Sequence, residues 1–85
     1  MDKAKLKTKA GISKAFGKVL KEARQSKRLS QEALALQAGI DRTYVGLLER
    51  GLRHPSVGFL FSVGPVLDVT PAEFVERIEK ALRQR

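Results

Sequence analysis

Residues 29–51 read LSQEALALQAGIDRTYVGLLERG, and how this stretch folds decides how the rest of the chain must be arranged. Ser30 suits a helix cap, with Leu29 before it and Leu34 four positions after it, the spacing of a hydrophobic staple. Leu34, Ala35 and Ala38 then recur at helical spacing, and Gly39 stands where a helix ends in the left-handed conformation. Asp41 caps the next helix, Val45 and Leu48 form its inner stripe, and Gly51 stops it. Two short helices with small residues at their contact and a tight glycine turn between them predict a helix-turn-helix. The second, over about 41–50, has only about three turns, too few to be stable alone in water, so the surrounding chain has to hold it.

Upstream, Phe16, Val19, Leu20 and Ala23 fall at i, i+3, i+4 and i+7, which predicts a helix from a cap at Ser13 to about Ser26. Residues 1–12, MDKAKLKTKAGI, carry lysine at every second position from 3 to 9 and no apolar periodicity. They read as a flexible basic arm ahead of a domain over 13–85. Downstream, Ser56 caps a helix containing Phe59, Leu60, Val63 and Leu67. Pro65 has no amide proton for the Phe61 carbonyl and Gly64 weakens the helix beside it, so a kink or a tightened last turn is expected. Thr70-Pro71-Ala72-Glu73 combines a cap, a first-position proline and a capping-box glutamate, and Phe74, Val75, Ile78 and Leu82 give the last helix an apolar face. With no strand pattern, the expected fold class is all-α, built from five helices.

The 85 residues suffice for one modest core. The net charge of +8 is uneven: residues 1–28 hold ten cations against Asp2 and Glu22, and the remainder holds seven charges of each sign. A basic amino-terminal third on a balanced body suggests a polyanionic partner, nucleic acid ahead of a membrane surface; a solvated lysine face is the plainer alternative. With no cysteine and a single histidine, His54, neither a disulfide nor a metal site is expected. The longest apolar run, 57–67, is broken by Gly58, Ser62, Gly64 and Pro65 and falls short of the roughly 20 residues of a membrane span. A soluble, cytoplasmic protein without cofactor, membrane partner or small-molecule ligand is expected. No nucleophile–base pair or phosphate-binding glycine loop suggests an enzyme.

LSQEALALQAGIDRTYVGLLERG followed by PSVGFLFSVGPVLDVTPAEFV resembles the Cro/repressor-type (XRE-like) helix-turn-helix domain of phage repressors, and the chain is also similar to restriction-modification controller proteins. The resemblance runs from about Phe16 to Val75. It is carried by Leu29-Ser30-Gln31, Ala35, Ala38-Gly39-Ile40, Val45, Leu48, Glu49-Arg50-Gly51 and Pro55-Ser56. It implies a lambda-repressor-like five-helix domain that acts as a homodimeric transcriptional regulator on a palindromic site in double-stranded DNA. Two other functions stay open: a protein-interaction module of the same fold, such as an antitoxin or a bridging factor, and a nonspecific nucleic-acid binder.

A helix of about three turns is long enough to enter a major groove about 12 Å wide. Arg42 and Thr43, the first outward residues after the cap, are expected at base edges, Arg42 suiting guanine or, alternatively, a phosphate. Leu47, on the same face, either meets a thymine methyl or packs against the fifth helix or a partner subunit. Gly46 either permits close approach to DNA or is simply a tolerated weak residue. Tyr44 either donates to a phosphate or packs. Gln31 at the start of its helix, Arg50, Arg53 and His54 on the turn, and Lys7 and Lys9 from the arm are expected at the DNA backbone. The resemblance implies that Arg24 and Glu49 pair between the first and third helices. Ile78 and Leu82 are the expected dimer contacts, with Phe74 closing the core.

Overall fold

Thr8 caps the first helix, its hydroxyl accepting the Gly11 amide at 3.2 Å, in a computed structural model that describes residues 8–83. Helix α1 therefore spans Lys9–Ser26 and begins before the expected cap. Ser13 lies inside it, 4% exposed, with its hydroxyl turned to another element rather than to the helix end. Gly11 and Ile12, read as part of the arm, are helical, and Lys9 is the first residue of α1. Residues 1–7, including Lys7, lie outside the described residues.

The next two helices start and stop on the residues chosen for those jobs. Ser30 accepts the Ala33 amide at 2.9 Å to open α2 (Gln31–Ala38), and Gly39 closes it at φ 70°. Asp41 accepts the Thr43 amide at 2.8 Å to open α3 (Arg42–Glu49). Ser56 opens α4 (Val57–Leu67) by accepting the Phe59 amide at 3.0 Å. At Pro65 the last turn of α4 stays α-helical instead of tightening. Phe61 and Pro65 both lie on the exposed face, so the carbonyl deprived of its donor is on the side open to water. Asp68 then takes the left-handed conformation at φ 59°. Helix α5 (Pro71–Arg83) begins with a reciprocal capping box, the Thr70 amide donating to Glu73 Oε1 at 2.8 Å and the Glu73 amide to Thr70 Oγ1 at 3.1 Å.

Among the described residues the structure is these five helices and no strand. Phe16, Leu20, Leu34, Val45, Leu48, Val63 and Phe74 are fully buried and come from all five helices. Phe16 sits at the centre, edge-on to Phe59 at 6.1 Å and tilted against Phe74 at 5.9 Å. Val75 departs from expectation: it is 51% exposed, because Phe74 takes the inward position of that turn.

α1 crosses the end of α3 so closely that a Cβ on Gly17 would stand 2.6 Å from the carbonyl oxygens of both Leu48 and Glu49. Gly17→Ala, although it gains about 1 kcal/mol of helix propensity, is expected to cost about 1–3 kcal/mol overall by forcing the helices apart. The melting temperature reads this, falling by about 4–8 °C per kcal/mol in a domain of this size.

Glu73 supplies a pH dependence. The Thr70 backbone amide, then the Thr70 hydroxyl, hold its carboxyl below the ordinary value of 4.5, with Arg77 acting in the same direction. A folded value below the unfolded one gives stability that is present above the unfolded value and lost as pH falls through the folded one. Glu73→Ala is therefore expected to melt below the parent protein near neutral pH, and the gap to narrow when both are melted in acid.

Candidate nucleic-acid interface

Three α1 residues, Ser13, Gly17 and Arg24, lie along the face that meets α3 and the turn after it. Gly17 provides the close crossing and Arg24 the charge. The Arg24 guanidinium donates to Glu49 through Nε at 2.6 Å and Nη2 at 2.9 Å, and through Nη1 to the Leu29 carbonyl at 2.6 Å. Gln31 Nε2 adds a further donor to Glu49 Oε1 at 3.0 Å. The side chains of the ion pair are only 10% and 3% exposed. The hydrogen bonds to Glu49 raise the Arg24 pKa above its already high ordinary value, burial works against them, and the Glu49 charge adds to the rise. Glu49, the last residue of α3, is thus tied at once to α1 and to the start of α2.

The opposite end of α3 is open. Arg42 and Thr43 are exposed at its first two positions. Leu47 is half-buried and stands outside the apolar cluster of the described residues. Gly46 faces Gln31, whose Oε1 would lie 3.5 Å from an added Cβ, an ordinary contact. Tyr44 is engaged at both ends: its ring lies edge-on to Phe59 at 5.5 Å, and its hydroxyl donates to the His54 carbonyl at 3.3 Å.

Beyond α3 the chain turns through Arg50, Arg53 and His54, all exposed. Arg50 Nε lies back along α3 and donates to the Gly46 carbonyl at 3.3 Å. Gly51, at φ 74°, packs on α1, where an added Cβ would meet Lys14 Cα at 3.1 Å. Arg42, Thr43, Arg50, Arg53 and His54 therefore lie on one continuous segment, α3 and its following turn, pinned to α1 from behind. Gln31 is half-buried with its amide on Glu49. Lys9 is exposed at the start of α1.

On α5, Ile78 is half-buried against the core and Leu82 is half-buried. More exposed apolar side chains stand elsewhere, at Leu36 (82%), Leu52 (60%), Val75 (51%) and, on α4, Val57 (69%) and Phe61 (63%), with exposed Pro65 completing an i, i+4, i+8 stripe along that helix. Sequence reading assigned no role to this stripe, because the spacing of Phe59, Leu60, Val63 and Leu67 accounts for the inner face and says nothing of Val57 and Phe61. It missed Gly17 as well; a glycine inside a helix with an otherwise regular apolar stripe, two turns from Arg24, was the available signal. Among the described residues no group of three or more metal-binding side chains occurs. No single described helix is long and apolar enough to cross a membrane; α4 and α5 pass that test only as a pair bent by 100°.

A helix-turn-helix family model matches residues 20–74. Control protein C.MunI of Mycoplasma sp is 41% identical over 66 residues, which cover 76% of this chain and 89% of that protein. The crystal structure of the restriction-modification controller protein C.AhdI from Aeromonas hydrophila is 44% identical with a TM-score of 0.69, over 73% of this chain and 94% of that one. The restriction-modification controller protein C.Esp1396I, solved as a tetramer in complex with its natural 35 base-pair operator, is 29% identical with a TM-score of 0.76, over 86% of this chain and 96% of that one.

The space at Gly46 makes a simple test of the tie. Gly46→Ala is expected to be accommodated and to stabilise the fold by about 0.5–1 kcal/mol, read as a higher denaturant midpoint. A lower midpoint would mean that Gln31 cannot yield without disturbing Glu49.

Proposed function

The chain belongs to the helix-turn-helix family, and from that premise and the geometry of α3 we propose that it is a sequence-specific DNA-binding regulator of transcription. It reads a palindromic operator in the major groove as a homodimer, acts in the cytoplasm and performs no chemistry of its own. The observation that carries this reading is the asymmetry of α3, locked by Glu49 at its carboxyl end and presenting Arg42 and Thr43 to solvent at its amino end. Arg42 and Thr43 are the proposed base contacts, Arg42 bidentate to guanine, with Leu47 against a thymine methyl. Gln31, Arg50, Arg53, His54 and Lys9 are proposed to follow the sugar-phosphate backbone, setting register and affinity but carrying no sequence information, while Tyr44, its one hydroxyl proton on the His54 carbonyl, seats the turn that carries them. The operator named for C.Esp1396I supports a controller-type role here.

A single module reads few base pairs, so two copies on half-sites are needed for useful specificity. Ile78 and Leu82 of α5 are the proposed dimer contacts, and the exposed Val57–Phe61–Pro65 stripe of α4 is proposed to join them. Phe61→Asp places a charge in that face and is expected to sediment as a folded monomer at concentrations where the parent chain is a dimer. A parent chain that stays monomeric, free and on DNA, contradicts the arrangement.

Selection of bound duplexes from a random-sequence pool tests the whole reading. An inverted repeat is expected, its half-site centres about 10 base pairs apart or a multiple of that. Arg42→Ala is expected to relax the preference at one base step at a cost of about 1–3 kcal/mol. Binding without enrichment would favour a nonspecific nucleic-acid binder, and no binding would favour a protein-interaction module.

A further inference from the structure

Ser13 is a buried hydroxyl whose position the tie at α3 does not explain. It is 4% exposed on α1, and its Oγ lies 3.0 Å from His54 Nδ1, 41 residues away in sequence. The Tyr44 hydroxyl holds the same residue by its carbonyl, and Gly51 seats the turn against Lys14 with no room for a side chain. His54 is nevertheless exposed, and its Nε2 has no hydrogen-bond partner among the described residues. An exposed loop histidine is thus held at two points, ring and backbone, while its second ring nitrogen has no partner among the described residues.

A serine hydroxyl can donate to the lone pair of a neutral imidazole or accept from its N–H. Ser13 therefore keeps the ring in one place in either charge state. The elements that meet at that ring carry Lys14 on α1, Arg50 just after α3 and Arg53 in the turn. Tyr44 meets the backbone carbonyl of the same residue through its hydroxyl, and the carboxylate of Glu49 is already taken up by Arg24 and Gln31. An anionic phosphate placed at Nε2 favours an imidazolium over a neutral imidazole.

We propose that Ser13 is a positioning residue that aims His54 Nε2 at a backbone phosphate of the bound duplex, and that binding takes up one proton at this imidazole. The proposal rests on the DNA-binding reading above. Its sign follows from linkage: a complex that holds one more proton than its parts is favoured as pH falls, and imidazole is the side chain that changes charge between about pH 5 and 8. A charged imidazole then neutralises a phosphate that a neutral one can only hydrogen-bond.

The test is fluorescence anisotropy of the full chain with a labelled mixed-sequence duplex, titrated across salt at about pH 6 and about pH 8. For the parent protein, the log–log dependence of affinity on salt is expected to be steeper by about 0.9 at the lower pH, the increment of one phosphate contact. Affinity is expected to be higher there at every salt concentration. His54→Gln retains a side chain able to bond Ser13 but cannot titrate, and its slope is expected to be the same at both pH values. Ser13→Ala, verified as folded by its melting transition, keeps the imidazole but loses its aim, and is expected to show a reduced slope difference. The other groups that titrate in this range are common to all three proteins, so the differences between them isolate His54. Equal pH dependence in the parent chain and His54→Gln would overturn the proposal, as would an undiminished effect in Ser13→Ala. Absence of any duplex binding at either pH would overturn the DNA-binding reading together with it.

Discussion

An eight-residue helix does not hold its own conformation in water, so α3 has to be held by its neighbours, and the Arg24 guanidinium on Glu49 supplies the most directional hold in the structure. Val45 and Leu48 bury the inner stripe of α3, but apolar contact permits sliding and rotation. A bidentate charged pair at 2.6 and 2.9 Å does not. Because Glu49 is the last residue of α3, fixing it fixes the direction in which the amino end points. Burial raises the stakes, since a nearly enclosed ion pair loses far more than a surface one when a partner is removed. Gln31 and the Leu29 carbonyl complete the cluster, and no buried side-chain polar atom among the described residues lacks a hydrogen bond.

The position of the pair follows from α1. This helix supplies Phe16 to the centre of the core and, one residue on, Gly17 to the crossing with α3. The close approach brings Arg24 within reach of Glu49 at one end of the contact and Ser13 within reach of His54 at the other. Packing, charge and the seating of the turn after α3 are therefore consequences of one helix crossing. The arrangement leaves the amino end of α3 free of packing duties, which is where a groove-reading helix needs its exposed side chains.

Much of this was legible in the sequence because caps and stripes are local. Ser30, Asp41, Ser56 and the Thr70–Glu73 box mark helix starts by bonding amides two or three residues away, and Gly39 marks a stop by its left-handed conformation. Features that depend on distant contacts were harder to read. Ser13 looks like a cap because serine often is one; only its meeting with His54 explains why it is buried inside α1. Gly17 is marked as a glycine inside a regular helix, but that it faces the Leu48 and Glu49 carbonyls is set by a contact over thirty residues away in sequence. The inward set of α4, Phe59, Leu60, Val63 and Leu67, could be picked from its spacing, but that spacing does not say whether a neighbour covers Val57 and Phe61 on the other side; the packing of α4 leaves them exposed. The same holds for Ile78, whose spacing from Phe74 is equally compatible with a core position and a partner contact.

The account therefore stands or falls on whether the α1–α3 pair does the holding or merely decorates a helix already fixed by Val45 and Leu48. A double-mutant cycle across Arg24→Ala and Glu49→Ala, read by denaturant unfolding, measures this directly. The account predicts a favourable coupling energy of about 1.5–3 kcal/mol between the two side chains, above the range of exposed pairs. A coupling below about 0.5 kcal/mol would contradict it and transfer the positioning of α3 to apolar packing alone.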